Sequence, residues 1–183
     1  MRLNGKRTAC AAICVLCALI SVFGFGGFKL KNKYNSVKDV FMDGTDTTST
    51  VRYSMDAYLD SCAEHAKKLA EEAKKYTVDD ELIANVIEDA DKLLGMDGLD
   101  GRYEAYTRLT GEVESLYSAL QAAGAADETN VKLEYADYTS KQDMIKRDGY
   151  YDYAKAYNST VKAFPANIIG GLWGAVSADM FSR

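Results

Sequence analysis

The chain has 183 residues, a formal net charge of −5 and a single proline. That length holds one domain with a real core, and so little proline, against a usual ~5%, favours long helices. The acidic balance argues against nucleic acid as the main partner and against broad electrostatic adhesion to anionic lipid.

Charge is uneven along the chain. The first 28 residues hold Arg2, Lys6 and Arg7 and no acid, so the remainder, with 27 acids, sits at about −8. Residues 1–7 are a short basic N-terminus. Residues 8–28, "TACAAICVLCALISVFGFGGF", carry no charge. At ~1.5 Å per residue they reach the ~30 Å of a bilayer core, which predicts one transmembrane anchor. Lys29, Lys31 and Lys33 follow directly, so basic residues flank both ends and give no orientation. A cleaved signal peptide is the rival reading. The triplets Ser21-Val22-Phe23 and Phe23-Gly24-Phe25 do not supply a small-x-small cleavage site for it.

Within the anchor, Cys10, Cys14, Cys17, Ser21 and Gly24 recur at spacings of about 4, 3, 4 and 3. They form a stripe of small side chains that would let two copies of the helix approach and associate. The fourth cysteine, Cys62, stands alone, and a single histidine, His65, cannot complete a zinc set.

Residues 29–50 read as a juxtamembrane segment ending in the polar break "TDTTST", where Ser49 and Thr50 are good N-caps. Residues 51–164 read as the helical domain. Val51, Met55, Tyr58, Cys62, Ala66, Leu69, Ala73 and Tyr76 give one long apolar face, with His65 at its border. A shorter helix follows, capped by Thr77 or Asp79 and closed by Gly95. A third carries Leu99, Tyr103, Tyr106, Thr110, Val113, Tyr117 and Leu120 at heptad spacing and stops at Gly124. A fourth, opening near Asp127 or Thr129, carries Tyr150, Ala154, Tyr157, Val161 and Phe164, with Tyr138 and Ile145 behind a slip near Gly149. Heptad-like stripes joined by short polar turns predict an all-α fold: an elongated antiparallel up-and-down bundle of about four helices, tethered by one N-terminal transmembrane helix. Most of the 13 tyrosines fall on these stripes, as bulky core and boundary residues.

The residues advertise no chemistry. There is no GxSxG elbow and no phosphate-binding loop. Asp91, Asp97 and Asp100 lack the alternation and terminal glutamate of an EF-hand loop, and one histidine excludes a di-iron bundle. The expectation is a protein without catalytic residues, cofactor or metal.

Residues 165–183 turn apolar and glycine-rich. The stretch "YNSTVKAFPANIIGGLWG", Tyr157 to Gly174, resembles the C-terminal signature of the LemA family. Tyr157, Asn158, Val161, Phe164, Pro165, Asn167, Ile168, Ile169, Gly171, Leu172, Trp173 and Gly174 match it, and Tyr34, Asn35 and Val37 fit a second short motif after the anchor. The family's Leu-Ile-Pro-Asn-Leu-like stretch is absent, so the resemblance is to a divergent member. It implies a membrane-tethered bundle of long antiparallel helices and no defined reaction. Pro165 would end the fourth helix, Asn167 would cap a new turn, and Gly170 and Gly171 would let the chain bend. The apolar tail then either covers the bundle end or meets a membrane or a partner, with Trp173 near the headgroups in the latter case. Together these readings point to a single-pass cell-membrane protein with an interaction or structural role and a protein partner that the residues do not name. The alternative is a secreted or periplasmic helical binding protein that has lost its leader.

Overall fold

The computed structural model describes residues 3–44, 54–99 and 101–181. They form seven helices and no strand: α1 (Leu3–Asp43), α2 (Met55–Ala73), α3 (Asp80–Leu94), α4 (Arg102–Ala122), α5 (Thr129–Arg147), α6 (Tyr150–Lys162) and α7 (Ala166–Trp173). The all-helical reading holds. The expected caps Ser49 and Thr50, with Val51, lie outside the described residues. The described cap of α2 is Ser54, whose hydroxyl accepts from the Ala57 N–H at 3.2 Å. Asp79 caps α3 and Gly95 closes it, as its sequence predicts.

α5 opens beside Asp127 and Thr129, as expected, with Glu128 at its N-cap position and no side-chain bond there. Two expectations are corrected. The fourth helix is two, because Asp148 adopts an extended backbone and its carboxylate accepts the Tyr150 N–H at 2.7 Å, which starts α6 afresh. Asn167 lies inside α7, whose N-cap position is Pro165.

The chain divides into two compact units. One comprises Met1–Val37 with Lys155–Ala178, and the other Lys38–Ala154 with Asp179–Arg183. The second holds the larger core. There α2 packs on α3, α4 and α5, and α3 packs on α4. Met55, Leu59, Cys62, Ala66, Leu69 and Ala73 line the buried face of α2, and Ile83, Val86, Ala90 and Leu93 that of α3. On α4 the buried stripe is Arg102, Ala105, Leu109, Val113, Leu116 and Leu120. It is rotated by about one residue from the tyrosine stripe, so Tyr103, Tyr106 and Tyr117 stand at the boundary. Branched aliphatics take the dry face while phenol rings keep their hydroxyls near polar groups. On α5 the buried set is Val131, Tyr138 and Ile145. Tyr117 and Tyr135 stack face to face, their centroids 3.5 Å apart.

Candidate functional site

The residues singled out by their pattern converge in the first unit. Its frame is α1 up to Val37, the second half of α6, α7, and the segment that follows it. Tyr157 is buried on α6, its ring 5.8 Å from that of Tyr34 on α1. Its hydroxyl donates to the Val176 carbonyl at 2.9 Å. The next residue, Asn158, is also buried. Its amide donates to the Ala178 carbonyl and its carbonyl accepts the Ala178 N–H, both at 2.8 Å. This two-way clamp gives the returning strand-like segment a fixed register without a sheet. It accounts for the "YN" pair in chemical terms.

Val161 is buried beside Gly170. A Cβ on Gly170 would lie 2.7 Å from the Ala175 carbonyl oxygen, so only glycine admits the chain there. Gly174 ends α7 in the left-handed region, at φ 66°. Gly171 meets nothing within 4 Å and is not needed for the turn.

Two further glycines decide how α7 meets α1. A Cβ on Gly26 would sit 3.3 Å from the Ile169 side chain, and one on Gly27 would run into the Trp173 indole. The tail therefore lies against α1 through Ile169 and Trp173, seated on bare backbone. Sequence reasoning stressed Gly24 instead, which meets nothing within 4 Å. The available signal was the "GFGG" cluster, since adjacent glycines in a helix cost stability unless something needs close approach.

The other matched residues do not pack. Phe164 is 81% exposed, Leu172 72%, Ile168 52% and Trp173 39%; Asn167 and Pro165 are exposed too. Phe164 was expected to continue the buried stripe of α6, but that stripe ends at Val161 because the helix ends at Lys162. Ile168 and Leu172 are four apart within α7 and so share one outward side of it, while Phe164 is exposed in the turn before the helix.

On α1, Cys10, Cys14, Cys17 and Ser21 are exposed, and none of the described residues covers their stripe. Ile13, Val15, Leu16, Leu19, Ile20, Val22, Phe25 and Phe28 are exposed as well. Among the described residues, α1 is the one helix long and apolar enough to cross a membrane; a signal sequence would have the same features.

Beside Gly26 lies a groove of about 440 Å³. Val22, Phe25 and Leu30 form one wall and Pro165, Ala166 and Ile169 the other. Lys29, Lys33 and Thr160 complete the lining.

The acidic residues separate the units completely. Every one of the 27 acids of the chain lies in the second, and the first has none. The whole-chain acidity that argued against anionic lipid is therefore a property of one unit.

The second unit hides polar chemistry that periodicity did not reveal. Arg102 is 2% exposed and pairs with Asp56 and Asp60, while its guanidinium lies 5.9 Å from the Phe41 ring centroid. Burial raises the Asp56 carboxyl above its ordinary range, and the Arg102 charge opposes that rise. Buried Asp89 accepts from Arg108 Nε at 2.8 Å. Tyr138 donates to Thr110 at 3.2 Å, and Gln142 donates to both. Burial pushes the Cys62 thiol and the Tyr106 phenol each up to about 12. His65 pairs with Glu134 at 2.7 Å at the border of the α2 face. Among the described residues no group of three or more His, Cys, Asp or Glu is placed to hold a metal.

No family model, curated protein or solved structure matches the chain.

Proposed function

We propose that the chain is a single-pass, membrane-anchored helical protein of the LemA type that serves as a non-catalytic interaction or structural module. The observation that carries this is the outward apolar surface of α1. Eight large apolar side chains between Ile13 and Phe28 are exposed. A surface of that size is costly in water and is what a hydrocarbon core solvates. The LemA-like tail supports the reading, because its Ile169 and Trp173 rest on the last uncharged turns of the same helix. In this reading α2 to α5 are the up-and-down bundle, its acidic surface offered to a protein partner, and the small-residue stripe from Cys10 to Gly24 brings two anchors together.

A cleaved leader is the second reading, for which Gly24-Phe25-Gly26 supplies a small-x-small triplet. Intact mass of the protein recovered from alkali-washed membranes separates the two. The anchored protein keeps residues 1–28 and stays in the pellet. A product that lacks about the first 26 residues and leaves with the wash would end the anchored reading.

A further inference from the structure

The groove between α1 and the α6–α7 turn is graded in polarity along its length. On α1 its lining begins with Val22 and Phe25 and ends with Lys29 and Lys33. On the facing side, apolar Ile169 stands by Gly26, and Thr160 lies toward Tyr157, which pairs with Tyr34. Both walls therefore run from apolar to polar in the same direction. The rise from Val22 to Lys33 is about 16 Å at 1.5 Å per residue, close to half the ~30 Å hydrocarbon core. Lys29 and Lys33 are one helical turn apart on α1 and both line the groove. Neither forms an ion pair among the described residues. No carboxylate side chain exists anywhere in this unit to neutralise them.

We propose that this groove holds one acyl chain of an anionic phospholipid, with the lipid phosphate between Lys29 and Lys33. The proposal rests on the membrane-anchored reading. A chain lying along Val22, Phe25 and Ile169 would continue the surface that α1 already offers to hydrocarbon. Its headgroup would then fall where the lysine stems rise out of the apolar run, which is where long cationic side chains favour their charge. The volume falls within the ~300–1,000 Å³ of small-molecule sites. Ile168 and Leu172, exposed on the same helix as Ile169, add apolar surface on α7, so the bound lipid would be an annular one held in place rather than one enclosed in protein.

The test uses the full-length protein in dodecylmaltoside, titrated with dioleoyl-phosphatidylglycerol or dioleoyl-phosphatidylcholine and read by native mass spectrometry. One phosphatidylglycerol should be retained per chain, with about tenfold preference over phosphatidylcholine. Lys29→Glu with Lys33→Glu should abolish the preference. Lys31→Glu, the same charge change away from the groove, should keep it. Ala166→Leu, which narrows the groove, should lower retention of both lipids. Equal binding of the two lipids, an equal loss from Lys31→Glu, or a dimer mass that excludes lipid would overturn the proposal. The same spectra report whether residues 1–28 are present. An intact chain without selectivity defeats the lipid site alone, whereas a chain lacking its leader defeats the anchored reading and the site with it.

Discussion

The two units are stabilised by opposite means. The second is a leucine-rich interior that admits charges only with partners, as Arg102 with Asp56 and Asp60 and Asp89 with Arg108. The first has little interior. It relies on glycines that let Ile169 and Trp173 reach the α1 backbone, and on Asn158 holding Ala178 by both amide groups. Its large apolar side chains mostly face outward. A packed core and an outward-facing apolar surface thus coexist in one chain. Whole-chain averages of charge and hydropathy describe neither.

The strongest way to break this comparison is at Arg102. Arg102→Met would leave two partly exposed carboxylates without their cation. The second unit should lose about 2–3 kcal/mol, read as a lower denaturant midpoint by circular dichroism. An unchanged midpoint would show that the buried pair carries no stability. Gly27→Leu is the matching change in the first unit. It should displace the Trp173 indole at a local cost of about 1–3 kcal/mol. The emission of Trp173, the only tryptophan, should move, while Gly24→Leu, with open space around it, should leave it alone. If both variants behave alike, α7 does not sit on Gly27.

Asn158→Ala should free the segment after α7, at about 2 kcal/mol for two lost bonds and two unpaired backbone groups. Hydrogen exchange at the Ala178 amide measures it directly. Asn158→Asp should fail to rescue, because a carboxylate still accepts the Ala178 N–H but opposes the Ala178 carbonyl.

The smallest effect sharpens the contrast through pH. The folded Cys62 thiol is raised by burial to about 12, so its contribution is complete below the unfolded thiol range and is lost as pH rises through the folded value. Cys62→Ala should cost about 1 kcal/mol near neutrality. The gap between the two proteins should then shrink by roughly 1.4 kcal/mol per pH unit above about 9 and change sign before about pH 11. Parallel stability curves from pH 8 to about 11 would mean that the thiol is not buried in the folded state.

Helix content, the caps at Asp79 and Gly95 and the uncharged run of residues 8–28 were all legible in the sequence. They depend on local physics: turn-by-turn periodicity, side-chain bonds to nearby amides, and the length of a segment without charge. The clustering of acids was legible too, once the limits of each unit were known. The break at Asp148 was visible only as a slip in register, since a carboxylate that caps a new helix looks like any other acid until its neighbour's N–H is placed. The rotation of α4 was hidden because tyrosine reads as apolar in a stripe, while packing prefers the aliphatic row beside it. Gly26 and Gly27 were marked in the sequence only by the "GFGG" cluster, without a sign of what they would meet, and the outward turn of Phe164 and Leu172 and the burial of Arg102 belong to tertiary structure alone. Each depends on which distant surface arrives, and a glycine or an arginine carries no local sign of the side chain or carboxylate that will meet it.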